Sequence, residues 1–236
     1  MTTLHSLGTV VRQPPRADAA AVAELAKYGV ATIHEAMGRT GLARPVLRPA
    51  WAGAHLCGTA VTVLAQPGDN WMLHVAAEQV REGDVIVVAC TAESTDGMFG
   101  ELLATSLRSR GAVGLVTEAG IRDVKELTAM GFPAFARAFS ARGTVKATLG
   151  SVNVPIVCAG ALVHPGDVVA ADDDGVVVVP RALAAEVAAA CAAREAKEAA
   201  NRARFLKGEL GLDVYGMRDA LARAGLRYVE PEQGQR

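Results

Sequence analysis

The residues most able to do chemistry lie in one stretch, residues 100–123, which reads GELLATSLRSRGAVGLVTEAGIRD. A glycine opens a helical pattern, a buried strand follows, and an Arg122-Asp123 pair closes the unit. In a parallel sheet, a helix N-terminus and the carboxyl end of the next strand can face the same crevice. Free backbone N–H groups, a guanidinium and a carboxylate would then lie together, a combination that can bind an anionic substrate beside a divalent cation.

The helical pattern that begins at Gly100 leaves the N–H groups of its first turn without partners inside the helix, at the positive end of the helix dipole. Gly97 and Gly100 leave room for a carboxylate or phosphate to reach the backbone. The segment contains neither the GxxxxGKS/T phosphate loop nor the GxGxxG dinucleotide motif. A small carboxylate is therefore the anion that fits best, with an ordinary glycine-led helix start as the alternative.

Arg122 and Asp123 follow a flexible Ala119-Gly120 step at the end of a buried strand. A planar guanidinium can bind a carboxylate or an enolate oxygen. A carboxylate beside it can ligate a hard cation through oxygen. The alternative is a local pair in which Asp123 caps the next helix, VKELTAM.

Composition sets the broad class. The 236 residues are 51% hydrophobic and 21% charged with a formal net charge of −1, which is typical of a globular protein and predicts no nucleic-acid partner. No run approaches the ~20 apolar residues of a membrane span, and the N-terminus lacks a secretory pattern, so we expect no membrane association and a cytoplasmic location. The four cysteines are far apart without a CxxC pair, which predicts buried free thiols.

Helical and strand patterns alternate in the middle of the chain, where they must position these residues. Helical spacing covers 17–38, 71–80, 101–110, 124–130, 181–205 and 215–224, and strand patterns occupy parts of 45–65, 85–90, 113–119 and the segments PAFARAF, GTVKATLG, VPIVCAG and 167–180. Alternation favours parallel pairing, and the short strands after residue 133 favour mixed pairing. We predict one α/β domain over residues 1–236, layered in architecture, with a helical C-terminal extension from about residue 181.

Several separated stretches agree in order and spacing with one protein family. They are PGDNWMLHVA (67–76), GDVIVVAC (83–90), Glu101 followed by Arg122-Asp123, the run 126–180, and the tail GMRDALARAGLRYV (216–229). Across nearly its whole length the chain resembles the RraA-like family. It is most similar to the class II pyruvate aldolase branch, the 4-hydroxy-4-methyl-2-oxoglutarate and 4-carboxy-4-hydroxy-2-oxoadipate aldolases.

The resemblance implies a β/β/α swivelling-type domain, a homotrimer or homohexamer with sites between subunits, and Mg²⁺ or Mn²⁺ as cofactor. Backbone amides of Gly100, Glu101, Leu102 and Leu103 would hold the carboxylate of an oxo-acid substrate. Arg122 would bind the keto acid, and Asp123 would ligate the metal.

The implied reaction is retro-aldol cleavage of a 4-hydroxy-2-oxo acid to pyruvate and a second product, pyruvate or oxaloacetate, through a metal-stabilised pyruvate enolate. Oxaloacetate decarboxylation is the expected side activity, and protocatechuate degradation the expected setting. Glu101 or a water would take the C4 hydroxyl proton, although the branch usually has Asp at the position of Glu101. Glu198 is the best match for an acid from a neighbouring subunit, with a solvated helix partner as the alternative.

Two other functions stay open. Some relatives bind a ribonuclease and regulate it, but they lack the Asp of the Arg-Asp pair, so Asp123 favours the enzyme. A quinone methyltransferase is the second alternative, and the missing glycine-rich loop after a first strand argues against it.

Overall fold

The computed structural model describes residues 7–230, and the chain divides into two compact units, residues 1–191 and 192–236. The helices are α1 Ala19–Leu25, α2 Val30–Ala36, α3 Trp71–Ala76, α4 Glu101–Arg108, α5 Val124–Ala129, α6 Ala184–Phe205, α7 Gly211–Val214 and α8 Arg218–Arg223. The strands are β1 Arg48–Pro49, β2 Leu56–Ala65, β3 Asp84–Cys90, β4 Gly97–Phe99, β5 Ala112–Ile121, β6 Ala134–Phe139, β7 Ser151–Val152, β8 Ile156–Cys158, β9 Ala161–Val163, β10 Val168–Asp172 and β11 Gly175–Val179.

One mixed sheet dominates the first unit, in the order β1-β6-β5-β3-β2-β10-β11, with β4 paired to β5 and β7 paired to β2. The central pairs β2-β3, β3-β5 and β5-β6 are parallel, and the flanking pairs β1-β6, β2-β10 and β10-β11 are antiparallel. Residues 85–89 of β3 are buried on both faces, as their continuous apolar run predicts. Parallel pairing brings the carboxyl ends of β3, β5 and β6 to one edge of the sheet.

Apolar side chains of the described residues build three cores. Two of them lie on opposite faces of this sheet, and the third joins α1, α2 and α6 to β10 and β11. The outer core joins α3, α4 and α5 to the parallel strands, for example Leu107 of α4 to Leu115 of β5. The inner core joins Leu47, at one edge of the sheet, to Val178 of β11, at the other edge. Both edges share one core with the β8-β9 hairpin, so the sheet is curled and nearly closed. This arrangement confirms the predicted layered β/β/α architecture.

The predicted helix over 17–38 is wrong as a single element, because it breaks into α1 and α2. Gly29, between them, has an extended backbone with φ −69° and ψ 156°. The N–H of Val30 donates to Asp172 Oδ2 at 2.8 Å, which caps α2 from the distant β10-β11 hairpin. The β10-β11 hairpin confirms the strand pattern predicted within 167–180.

The predicted strand in GTVKATLG is also wrong. Residues 143–150 form an irregular segment in which Val145 makes one isolated bridge to Asp69. The Asp69 side chain accepts the N–H groups of Ala147 and Thr148 at 2.8 and 2.7 Å. A buried carboxylate therefore takes the place of a neighbouring strand, and it also accepts the N–H of Trp71 at the start of α3 at 2.9 Å.

The second unit is helical where the structure describes it, residues 192–230. It contains the later part of α6, then α7 and α8, so α7 precedes the single short helix predicted over 215–224. Phe205 and Tyr215 meet edge to face with ring centroids 5.9 Å apart, and Arg204 pairs with Glu209 at 2.7 Å. Within residues 7–230, none of the helices combines the length and apolarity needed to cross a bilayer.

Asp69 is expected to contribute strongly to the stability of the first unit. Burial would raise the pKa of its carboxyl, but three backbone N–H donors outweigh burial and hold that pKa below its usual value. Asp69→Ala leaves these donors without an acceptor and should lower the free energy of unfolding by about 3 kcal/mol at pH 7.

Denaturant titration measures this loss, with the exposed Asp219→Ala as the matched control. Because the folded pKa lies below the unfolded value of about 3.9, the carboxylate's contribution is complete above that pH. It should disappear as the pH falls through the folded pKa. An unchanged unfolding free energy in Asp69→Ala would contradict this role.

Candidate active site

The carboxyl end of β5 and the start of α4 lie side by side. The short strand β4 pairs in parallel with the last residues of β5, with Gly97 opposite Gly120 and Phe99 opposite Ile121. The N–H of Arg122 donates to the carbonyl of Phe99 at 2.8 Å. The residue that follows β4 is Gly100, where α4 begins. The strand pairing therefore places the first turn of α4 against Arg122-Asp123, as the sequence predicts.

Asp123 holds this junction together. Its backbone is left-handed, with φ 57° and ψ 39°, a conformation that Asp tolerates better than most residues. Its Oδ2 accepts the N–H of Glu101 at 3.1 Å and lies 3.7 Å from Arg122 Nε. Asp123 makes no side-chain capping bond to α5, so the capping alternative raised from the sequence is wrong. The carboxylate caps α4 instead.

Two further amides at the start of α4 are available to a ligand. The first bond inside the helix runs from the N–H of Ala104 to the carbonyl of Gly100 at 3.0 Å. Within residues 7–230, the N–H groups of Leu102 and Leu103 have no hydrogen-bond acceptor. They lie at the positive end of the helix dipole, where an anion is favoured. Only their backbones contribute, because the Leu103 side chain is buried in the core and that of Leu102 is 79% exposed.

Two glycines make the close approach possible. A Cβ on Gly100 would lie 2.3 Å from Asp123 Oδ2 and 3.0 Å from Arg122 Cγ. A Cβ on Gly97 would lie 2.3 Å from the carbonyl oxygen of Ser140. Side chains at either position would push the site apart, so both glycines are required by contact distance.

An open cleft of about 420 Å³ adjoins the Arg122-Asp123 side of this junction. Arg122 and Asp123 line it, and their side chains are 45% and 40% exposed. Phe139, Ser140 and Ala141, which end and follow β6, line the opposite side. The sequence analysis missed these three residues. The parallel pairing of β6 with β5 was the available signal, since it brings both strand ends to one edge.

The side chain of Glu101 lies along α4, the helix that this residue begins. Thr105 Oγ1, one turn later, donates to Glu101 Oε1 at 2.8 Å, while the Glu101 N–H contacts Asp123. The backbone of Glu101 therefore belongs to the junction and its carboxylate is held beside Thr105. Its role as a base stays a prediction.

Asn70 connects the loop before α3 to β4. Its Nδ2 donates to the carbonyl of Met98 at 3.0 Å, and its Oδ1 is buried without a hydrogen-bond partner among the described residues. The Asn70 side chain makes no capping bond to α3, and Asp69 accepts the N–H of Trp71 instead. Asn70 fixes the strand that leads into Gly100.

Glu198 lies in the second unit. Its Oε1 is 2.9 Å from Arg194 Nε, an i,i+4 pair on α6. This contact matches the solvated-partner alternative, and the prediction that Glu198 reaches a site in a neighbouring subunit stays a prediction.

The four cysteines are free thiols, but the predicted burial holds only for Cys158 and Cys191, because Cys57 and Cys90 are partly exposed. Burial raises the pKa of the Cys57 thiol to about 12. Burial, with the Glu118 carboxylate nearby, raises the pKa of Cys90 to about 12 and also raises that of Cys158. None of these thiols is a nucleophile near neutral pH. Within residues 7–230, no three His, Cys, Asp or Glu side chains come together as a metal-binding group.

A family model described as RraA-like, Aldolase/RraA, matches residues 30–178, well over half of the chain. The chain belongs to the RraA-like family. Arg122 and Asp123 both lie within the matched region, as does the whole of α4.

Individual proteins are also similar to this chain. A protein of Halalkalibacterium halodurans, provisionally named 4-hydroxy-4-methyl-2-oxoglutarate aldolase, is 33% identical over 57% of this chain and 64% of its own length. A similarly named protein of Burkholderia multivorans is 32% identical over 63% of this chain and 90% of its own length. The crystal structure of Streptomyces coelicolor RraAS2, described as an unusual member of the RNase ES inhibitor RraA family, has a TM-score of 0.72 and 28% identity, covering 80% of this chain and 98% of that one.

Gly100→Ala tests the close approach directly. The added Cβ cannot remain 2.3 Å from Asp123 Oδ2, so the carboxylate must move away from α4. Pyruvate binding in the presence of Mg²⁺, measured by calorimetry, should weaken about tenfold or more, a loss of 1.4 kcal/mol or more. Gly143→Ala is the control, because its Cβ would lie at an ordinary 3.6 Å from Arg122 Nη1. Equal binding by both variants would contradict the assigned geometry.

Proposed function

We propose that this protein is a divalent-metal-dependent lyase that cleaves a 4-hydroxy-2-oxo acid to release pyruvate. The observation that carries the proposal is the junction of two unpartnered helix amides with a guanidinium and a carboxylate, the last two of which line an open cleft. The names of the two relatives support the same reaction class and a substrate such as 4-hydroxy-4-methyl-2-oxoglutarate. The 4-carboxy-4-hydroxy-2-oxoadipate analogue is the second proposed substrate.

The residues of the cleft fit a hard divalent cation. Asp123 is 40% exposed, its Oδ2 is engaged by Glu101 N–H, and its Oδ1 makes no hydrogen bond in the described part of the chain. The carboxylate can lie this close to the start of α4 only because Gly100 has no Cβ. Mg²⁺ is commonly held by one or two carboxylates with waters completing its shell, so a single protein carboxylate suffices. Mg²⁺ and Mn²⁺ both accept such a site.

The substrate carboxylate is proposed to bind the free amides of Leu102 and Leu103. The helix dipole favours negative charge there, and the donors are rigid because the same turn packs into the core through Leu103. Binding at this point would place the 2-oxo group near Arg122 and Asp123. The residues would thereby orient the bond between C3 and C4 for cleavage.

Negative charge develops on the 2-oxo oxygen when the bond between C3 and C4 breaks and pyruvate leaves as its enolate. A bound divalent cation acts as a Lewis acid that stabilises this charge. The Arg122 guanidinium adds a fixed positive charge at the same oxygen, and Asp123 and the Phe99 carbonyl hold Arg122 in place.

The C4 hydroxyl proton must leave as the bond breaks. Glu101 is the acid of this chain proposed to accept it, through a water, with Thr105 orienting the carboxylate. Glu198 of a neighbouring subunit is the proposed acid on the other side of the site in a homotrimer or homohexamer. Oxaloacetate that loses carbon dioxide gives the same enolate, so a decarboxylase activity is proposed as well. The four free thiols suit a reducing compartment, and we place the enzyme in the cytoplasm.

Pyruvate formation from both 4-hydroxy-2-oxo acids tests the proposal. Asp123→Asn and Arg122→Lys should each lower kcat/KM at least about 100-fold, because each removes a group aimed at the developing charge. Chelation of divalent metal should abolish activity, and added Mg²⁺ or Mn²⁺ should restore it. The exposed Asp219→Asn and Arg110→Lys are matched controls that should retain full activity. Full turnover in chelator, or in Asp123→Asn, would refute the metal-dependent reaction.

A ribonuclease-binding regulator is the second candidate. The observation that favours it is the 28% identity to Streptomyces coelicolor RraAS2 over 80% of this chain. Tight binding to a ribonuclease, unaffected by Asp123→Asn and accompanied by no pyruvate release, would establish this candidate in place of the lyase.

A further inference from the structure

A second cavity, of about 310 Å³, lies in the first unit at the far end of the parallel strands from the candidate active site. It adjoins Asp84, the first residue of β3, whereas the cleft follows Ile121, the last residue of β5. The polar side chains that line it are Arg12, Gln13, Arg16, Glu78, Gln79 and Arg81. Three guanidiniums and two amides face one space with a single carboxylate.

Arg16 lines this cavity, and Asp84 holds its side chain in place. Its two terminal nitrogens donate to the two carboxylate oxygens of Asp84, which is fully buried, and the second bond is 2.8 Å long. The N–H of Arg81 donates to the same Oδ2 at 2.8 Å. The negative charge of Asp84 is therefore neutralised inside the protein, and these contacts fix the guanidinium of Arg16 and the backbone of Arg81.

The guanidiniums of Arg12 and Arg81 are the positive charges of this cavity that a ligand could pair with. Among the described residues neither side chain has a carboxylate partner, and Glu78 is the only acid that lines the cavity. The nearby Glu82 is turned elsewhere, with its Oε2 2.7 Å from the point that a Gly111 Cβ would occupy. The cavity therefore carries a net positive charge, because the two guanidiniums of Arg12 and Arg81 outnumber the single carboxylate of Glu78.

We propose that this cavity is a binding site for a small dianion, either an inorganic oxyanion or a short dicarboxylate. Two free guanidiniums supply charge-assisted hydrogen bonds, and Gln13 and Gln79 supply neutral amide donors. Among the described residues, those that line the cavity include no nucleophile and no histidine, so we propose binding and no reaction. Its occupant would join Arg12 and Gln13 to the segment between α3 and β3.

Sulfate is the probe for the inorganic class, since it is doubly charged throughout the neutral range, and succinate is the probe for dicarboxylates. Arg122 in the cleft can also attract an anion, so both are titrated by calorimetry in the Arg122→Ala protein. At least one should bind. Adding Arg12→Gln and Arg81→Gln should raise its Kd about tenfold or more, the loss of two charge-assisted contacts. Adding the exposed pair Arg110→Gln and Arg202→Gln removes equal charge and should leave Kd unchanged.

A second measurement uses the unmutated protein. Modification of arginines by phenylglyoxal, read by peptide mass spectrometry, should slow at Arg12 and Arg81 when the bound dianion is present, with Arg110 unaffected. Chloride at equal ionic strength is the control. Absence of binding by both dianions, equal loss of binding in the two double variants, or uniform protection of all arginines would each overturn the proposal. Sulfate binding without succinate binding assigns the inorganic class, and the reverse assigns the dicarboxylate class.

Discussion

The hydrogen bond from the Glu101 N–H to Asp123 Oδ2 is the contact on which the cleft depends. It joins the start of α4 to the end of β5, and it turns the Asp123 carboxylate toward the helix N-terminus. Asp123 adopts a left-handed backbone conformation to make it, a local cost that is typical of functional positions. The bond also leaves the next two amides of α4 free. A structural cap and a potential binding site are thus produced by the same interaction.

The wider fold supplies the rigidity that this contact needs. Parallel pairing of β3, β5 and β6 brings their carboxyl ends together, and β4 extends the edge by three residues. Asn70 and Asp69 then hold the neighbouring loops by hydrogen bonds to backbone groups. Because these polar groups are buried, they determine where the chain runs after each strand. The site is consequently built on loops whose positions are determined by buried side chains.

Much of the fold followed from local sequence patterns. The buried run of β3, the α4 helix with its following Gly111, and the β10-β11 hairpin each have a signal within a few residues. The break between α1 and α2 could not be predicted from a local signal, because the cap of α2 comes from Asp172, 142 residues away. GTVKATLG has a strand-like composition, but Asp69 satisfies its amides, and no local pattern reveals a partner 78 residues earlier.

For the site, the proximity of Gly100, Arg122 and Asp123 followed from the order of strand and helix, whereas the direction of Asp123 did not. An Asp that precedes a helix normally predicts a cap of that helix, which here would be α5. The tertiary pairing of β4 with β5 instead brings the start of α4 to Asp123, and the carboxylate caps α4. A crystal structure with Mg²⁺ and pyruvate is the most direct test. We expect the pyruvate carboxylate on the amides of Leu102 and Leu103, the 2-oxo oxygen beside Arg122, and Mg²⁺ on Asp123. Pyruvate bound elsewhere, with Arg122 and Asp123 uncontacted, would contradict the proposed function.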